Sequence, residues 1–332
     1  MNKVLLSLKQ FPDALSDAWK QAAKIEIPRE YQESETIVCC GMGGSSLAAH
    51  LIKSIYFDRL SRPFEIVRNY HLPNYVGEKS LVILISYSGN TEEVLSCLQE
   101  AEEKRAKILG ISTGGKLTNV AQKRDIPYFL IKPNFNPSGQ PRFGLPYTLF
   151  SLLAVLEKIG EIDKIKEIGE IEEKLKDFNE NEAKRFAKRL WEKIPVIVSG
   201  EHLSGNAHVF ANQINETSKN FAVYFLLPEL NHHLLEGLAE PKEVCQRLIF
   251  LFLKSNLYSP KIQKRLLLTK EVVRKNKIET LEFSPSLNSP LAQSLETLQF
   301  SSFVSYYLSL LNKKDPLKIP WVEYFKRKLL SS

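Results

Sequence analysis

No apolar run in this 332-residue chain approaches the roughly 18 residues that cross a bilayer, so no membrane span is expected. The short apolar patch at 1–8 gives way at once to Lys9-Gln10, which is not the pattern of a signal peptide. A cytoplasmic protein is the expectation. Cysteine is scarce: Cys39, Cys40, Cys97 and Cys245 show no C-x-x-C spacing, and the first three fall in apolar-rich elements, where they read as buried reduced thiols. Metal-binding patterns are missing as well. His232 and His233 are adjacent but have no carboxylate or cysteine at ligand spacing, and His202 and His208 lack the i, i+4 spacing of helical ligands. Gly41-x-Gly43-Gly44 lacks the third glycine of a dinucleotide fingerprint, since position 46 is Ser, and the region some twenty residues on offers only Asp58. Finally, the net charge of +7 is interleaved with acids, as in 161–167, and no basic stripe carries aromatics. Neither nucleic acid nor membrane is an expected partner, and a basic surface equally suits a phosphorylated metabolite.

What is present is an alternating strand and helix pattern, run through twice. With 43% hydrophobic residues the chain can bury one large core or two ordinary ones, and its length favours two domains. A leading helix is predicted at 13–24, then strands near 36–40, 64–68, 81–85, 107–111 and 126–131, with helices after most of them. Pro133, Pro137, Gly139 and Pro141 interrupt the pattern before a long apolar helix at 145–159. The charge-rich stretch 161–181 has no strand signal and reads as a connector; beyond it a helix at 183–193 precedes strands near 195–199, 222–226, 247–253 and 279–283. The expected fold is α/β, with two doubly wound parallel-sheet domains at 1–160 and 182–332.

The chemistry concentrates where the run 81–85 ends in Ser86-Tyr87-Ser88-Gly89-Asn90-Thr91 and a helix with Glu92-Glu93 in its first turn begins. A helix N-terminus presents unpaired N–H groups and partial positive charge, so Ser86, Ser88 and Thr91 could surround a phosphate, with Gly89 letting the backbone come close. A plain capped helix is the bland alternative. The turn Gly41-Met42-Gly43-Gly44-Ser45-Ser46 follows the first strand in the same manner, so Ser45, Ser86, Ser88 and Thr91 are expected to converge on one anion site. The second half repeats the strand, glycine turn, serine and helix at 197–207, with one gap. There His202-Leu203 replaces Gly43-Gly44, and the later strand ends in Lys254-Ser255-Asn256, so only one anion site per chain is expected.

Gly41-Met42-Gly43-Gly44-Ser45, Ser86 to Glu93, Pro141-Arg142, Asn215-Glu216-x-x-Lys219 and Glu229-Leu230-Asn231-His232 come in one order along the chain. In that order and approximate spacing they resemble the bifunctional phosphoglucose/phosphomannose isomerases, which carry two sugar isomerase (SIS) domains. The resemblance spans the chain, as far as Trp321 to Lys326. It implies aldose–ketose interconversion of a hexose 6-phosphate, without metal or redox cofactor, in a homodimer whose active site lies at the subunit interface. It also implies roles: phosphate binding at Gly43, Gly44, Ser45, Ser46, Ser86, Ser88 and Thr91; proton transfer by Glu216, one helical turn after Asn212; ring opening by His232, reaching in from the partner subunit, and Lys326; enediolate stabilisation by Arg142. Apolar neighbours would raise the pKa of a buried Glu216 toward the working pH. Two positions depart from the family's usual pattern. His233-Leu234 stands where Asn-Glu is usual, and Ile319 where some members carry a pocket threonine. A sugar-phosphate sensor of the same fold, or an isomerase of another phosphosugar, remains the alternative.

Overall fold

The computed structural model describes residues 2–330. The first half builds a five-stranded, all-parallel sheet from β1 (Thr36–Cys40), β2 (Phe64–Val67), β3 (Ser80–Ser86), β4 (Lys107–Ser112) and β5 (Tyr128–Leu130), in the order β2-β1-β3-β4-β5. Every residue of β3 is buried, because a central parallel strand is covered on both faces. Alternate residues divide between the faces. Ile37, Cys39, Leu81, Ile83 and Ile85 pack under α2 (Phe11–Ala22), α3 (Gly44–Ile55) and α6 (Leu145–Lys158), and a short α1 (Lys3–Lys9) precedes these in the chain. Val38, Cys40, Val82 and Leu84 pack under α4 (Glu92–Glu103) and α5 (Gly115–Lys123).

The segment 161–181 has no strand, as expected, yet it is more than a tether. It carries α7 (Ile168–Lys176), whose Ile168, Ile171 and Leu175 are buried in the first core, next to α2. After α8 (Glu180–Leu190) comes the second parallel sheet, β6 (Ile194–Ser199), β7 (Val223–Leu226), β8 (Leu248–Leu253) and β9 (Glu279–Phe283), in the order β7-β6-β8-β9. That order repeats β2-β1-β3-β4, so the internal similarity read at 197–207 extends to topology. Around this sheet lie α9 (Ser204–Gln213), α10 (Lys242–Cys245), α11 (Pro260–Lys275) and α12 (Pro290–Leu311), and α13 (Pro320–Leu330) ends the described chain. No helix among the described residues is long and apolar enough to cross a membrane.

Two features join the halves. Helix α12 is buried on nearly all sides from Leu291 to Leu308, the mark of a helix inside a core, and its residues contribute to both main clusters. Helices α3 and α9 cross at Gly205, where a Cβ would lie 2.6 Å from the His50 carbonyl oxygen and 2.8 Å from Leu51 Cα, so only glycine permits this approach.

Candidate active site

Adjacent strands bring the two glycine turns together. Because β1 and β3 are hydrogen-bonded neighbours, their carboxyl ends place Ser45 beside Ser86-Tyr87. The Tyr87 N–H donates to Ser45 Oγ at 3.0 Å, and Ser86 Oγ and Thr91 Oγ1 share a hydrogen bond of 2.7 Å. Both α3 and α4 start at this junction without a side-chain cap; the Ser45 and Ser46 N–H groups donate to the Met42 and Gly43 carbonyls, each at 3.1 Å, and the Thr91 N–H to Ser86 Oγ at 3.4 Å. Gly43, at φ 49° and ψ −127°, makes the bend into α3 that an L side chain would resist. Ser46 is oriented differently from its neighbour: its hydroxyl donates to the Gly43 carbonyl at 2.9 Å and closes the turn from within. Ser88 lies on the exposed side of the loop, its Oγ accepting from the Asn90 N–H at 3.3 Å.

A third segment closes on these turns. A Cβ on Gly44 would meet Pro141 Cβ at 3.2 Å and the Arg142 nitrogen at 3.4 Å, so the start of α3 lies directly against Pro141-Arg142. Arg142 is buried and crosses from the first half to the second. Its Nη1 donates to Glu216 Oε1 at 2.7 Å and to Gln140 Oε1 at 3.0 Å, while Nη2 donates to the carbonyls of Pro316 at 2.6 Å and Leu317 at 3.3 Å. Nε is buried without a partner. Burial lowers the guanidinium pKa from its ordinary value and the Glu216 charge opposes that shift, so the group stays cationic.

Glu216 sits in a π-helical turn, Ile214–Ser218, that follows α9, where the sequence reading expected a plain helix with Asn212 one turn back. Such turns arise as local insertions in α-helices and recur at functional sites. Asn215 ties this one to β7: its Nδ2 donates to the carbonyls of Ala211 and Ala222, and its Oδ1 accepts from the Ala222 N–H. The expectation of a carboxylate enclosed by apolar neighbours needs correction. The Glu216 side chain is 36% exposed and faces a guanidinium, because the π turn aims it across the domain boundary toward Arg142. His232, at the end of a 3₁₀ turn (Glu229–His232), and Lys326, on α13, are both exposed, and their side chains make no hydrogen bond or ion pair among the described residues. A cavity of about 760 Å³ between the 24–28 loop and the β5 edge contains none of these residues.

In the second half, the place equivalent to the anion site is filled by the chain itself. Gln293 of α12, fully buried, donates to Asn256 Oδ1 and the Leu287 carbonyl, each at 2.8 Å; its Oε1 accepts from Ser255 Oγ at 2.6 Å and lies 3.0 Å from His202 Nε2. The Gln293 side chain thus takes up hydrogen bonds of Ser255 and Asn256 and lies against His202 at this end of the second sheet.

Comparison with known proteins matches each half to a family model. The SIS domain model matches residues 30–156, and the model described as the bacterial phospho-glucose isomerase C-terminal SIS domain matches residues 179–329. A bifunctional phosphoglucose/phosphomannose isomerase from Caldicellulosiruptor bescii is 32% identical over 97% of this chain and 98% of its own length. The chain belongs to the bifunctional phosphoglucose/phosphomannose isomerase family. The Aquifex aeolicus protein of the same name is 31% identical over 92% of this chain and 93% of its own. In fold, the chain is similar to the tagatose-6-phosphate ketose/aldose isomerase of Escherichia coli, with a TM-score of 0.73 at 16% identity, over 95% of this chain and 94% of that one.

The structure gives surroundings to the two positions expected to differ from the pattern of the bifunctional phosphoglucose/phosphomannose isomerases. His233 is exposed, its ring 6.1 Å from that of Phe225, and Leu234 packs against the second core. Ile319 is half-buried between the Pro316-Leu317 segment and α13, and its carbonyl accepts from the Glu323 N–H at 3.0 Å. Sequence reasoning assigned no role to Gln140, Lys219 or the 315–317 segment. Lys219 carried a signal, as the last member of Asn215-Glu216-x-x-Lys219; the other two carried none.

Proposed function

We propose that this chain is an aldose–ketose isomerase that interconverts glucose 6-phosphate, mannose 6-phosphate or both with fructose 6-phosphate through an enediol intermediate. The observation that carries the reading is the Arg142–Glu216 pair at 2.7 Å, set against the start of α3, with Ser45 Oγ bonded to the Tyr87 N–H and the Ser86 and Thr91 hydroxyls paired beside it. A phosphate held by Gly43, Gly44, Ser45, Ser46, Ser86, Ser88 and Thr91 leaves the sugar's other end to extend toward Glu216. The Glu216 carboxylate takes the proton from C2 of the open-chain aldose, and the C–H electron pair becomes the C1–C2 double bond as the C1 carbonyl pair moves onto O1; the O2 proton passes to O1, C2=O forms, and the same carboxyl returns its proton to C1. Negative charge on the enediolate oxygens develops next to a buried guanidinium already fixed by Gln140 and two carbonyls, so little reorganisation is needed.

In this proposal His232 of the partner subunit and Lys326 open the ring, which makes the active unit a homodimer. The division of labour is phosphate binding in 1–160, a connector at 161–181 and proton transfer in 182–332, and a cytoplasmic location goes with it. A second reading, an isomerase of another phosphosugar, draws on His233-Leu234 and Ile319, the positions at which the chain differs from the pattern the resemblance implies. A coupled assay for fructose 6-phosphate formation from glucose 6-phosphate and from mannose 6-phosphate is the test. Turnover of at least one is expected. Binding of both without turnover would leave a sugar-phosphate sensor, and binding of neither would point to a different phosphosugar.

A further inference from the structure

The segment joining α12 to α13 crosses the site as a strap, and three consecutive carbonyls of the strap are held by two cations. Asp315 accepts from Lys219 Nζ at 2.6 Å, Pro316 from Arg142 Nη2 at 2.6 Å, and Leu317 from the same Nη2 at 3.3 Å. The Leu317 N–H donates back to Asp315 Oδ1 at 2.9 Å. Charge-assisted bonds of this kind are the stronger class, and here they fix the direction in which the chain leaves the site.

What leaves is α13. Residues 321–329 are all exposed, and no other element of the described chain packs extensively against this helix. The strap fixes where this helix starts relative to Arg142 and Lys219. Lys326 lies six residues beyond Pro320, about 9 Å along the axis, so a tilt of about 20° at the strap moves it by roughly 3 Å. Displacements of about 1 Å at a reacting centre are enough to lower rates on the order of a hundredfold.

Resting on the isomerase reading above, we propose that Lys219 is a positioning residue: its ammonium clamps the strap so that α13 presents Lys326 to the Arg142–Glu216 pair. The backbone supports this. Lys219 ends the π turn in the left-handed region, φ 52° and ψ 37°, which turns the residue three places after Glu216 back toward the strap. Its second bond, to the Thr217 carbonyl at 3.2 Å, is local and longer than the one to Asp315. Burial, and secondarily Arg142, push its pKa downward, as expected of an ammonium held among the site's groups rather than in solvent.

Lys219→Met keeps the stem and removes the charge. We expect kcat/KM to fall about tenfold or more while competitive inhibition by inorganic phosphate is unchanged, because the phosphate loops lie in the other domain. Lys219→Arg, which retains a cationic donor, should recover most of the loss. Coupling to Lys326 separates placement from mere stability: in a Lys326→Met background, adding Lys219→Met should change the rate by less than about twofold. Losses that multiply instead would overturn the proposal, as would wild-type kcat/KM in Lys219→Met. Limited proteolysis tests the clamp without turnover. Cleavage within 312–319 should be at least about fivefold faster in Lys219→Met than in the unaltered protein. Equal cleavage rates would overturn the clamp even in a fully active enzyme, whereas failure of the isomerase reading would show as no sugar-phosphate turnover in the unaltered protein.

Discussion

Arg142 is the residue on which the two halves of the site meet. A lysine there could not serve the same ends, since the planar guanidinium reaches a carboxylate, a glutamine and two carbonyls at once. Its partner Glu216 is the residue whose removal reports most directly on chemistry. Glu216→Gln keeps the shape and a hydrogen-bond acceptor for Nη1 but removes the base, so kcat should fall by at least about 10²-fold. KM should hardly change where it approximates binding, because the phosphate contacts are elsewhere. The pair is partly solvent-exposed on the Glu216 side, so the stability change should stay within about 1 kcal/mol, read from the urea midpoint. A well-folded Glu216→Gln protein with unaltered turnover would end the proton-transfer assignment. Glu216 was legible because a short motif carries it. Its surroundings were not, since Arg142 is 74 residues away in sequence and the two meet only through the packing of two domains.

Among the elements, the loop after β3 has the least freedom to vary. Gly89 has φ +69°, and a Cβ there would lie 1.7 Å from the Gly114 carbonyl oxygen, inside the turn that braces the loop. That bracing is extensive: the Thr113 N–H and hydroxyl donate to the Tyr87 carbonyl, the Leu117 N–H to the Gly89 carbonyl, and the Lys116 N–H to Asn90 Oδ1. Gly89→Ala should therefore displace the loop, weakening inhibition by inorganic phosphate at least about tenfold and costing more than about 2 kcal/mol of stability. Gly160→Ala is the control, since Gly160 also has positive φ (+73°) but nothing within 4 Å of its added Cβ. It should cost only about 1 kcal/mol and leave phosphate binding alone. Similar phosphate affinities in the two variants would show that the loop's shape does not matter to anion binding. The loop itself was readable because a buried parallel strand leaves an uninterrupted apolar run, as 81–85 does within β3; the bounds 36–40 and 279–283 match β1 and β9 to the residue, although β9 is only half-buried. The edge strand β5 is shorter than the 126–131 read from sequence, as its outward Tyr128 and Leu130 are exposed and pair on one side only. The π turn, the strap and the Gln293 plug had no sequence signal. Each depends on partners tens of residues away rather than on a local period.

At the scale of the whole molecule, the contact between α3 and α9 carries a pair of histidines. The rings of His50 and His208 lie 4.5 Å apart, with His50 Nε2 and His208 Nδ1 buried and unpartnered. Burial, with His208 as a secondary cause, pushes His50 down to about 4, and burial with Arg68 does the same to His208. Both values lie below the roughly 6.5 of an unfolded histidine, so the unfolded state binds more protons between these limits. Stability should thus be fully present above about pH 6.5, decline as pH falls, and level off below about pH 4, by on the order of 3 kcal/mol for one histidine and less than twice that for the coupled pair. Thermal midpoints between about pH 7 and pH 4.5 should show this slope, and His208→Asn should flatten it; an equal slope in that variant would place the dependence elsewhere. Assembly is the larger question at this scale. The exposed face of α13 includes Trp321 at 81%, Phe325 at 62% and Tyr324, which nothing in the described chain covers. At about 150–250 Å² per fully exposed aromatic, scaled by these exposures, two such helices related by a two-fold axis would bury about 600–950 Å², so neighbouring residues must supply the rest of a stable interface. With the His232 side chain exposed and making no bond to Arg142 or Glu216 among the described residues, a shared site makes a specific demand. Homodimers of Glu216→Gln and of His232→Ala should each be nearly inactive. After subunit exchange about half the dimers would be mixed, and each mixed dimer would hold one site with both Glu216 and His232 intact, restoring about a quarter of wild-type activity. If His232 instead served its own subunit, every site in the mixture would lack one group, and no activity would return.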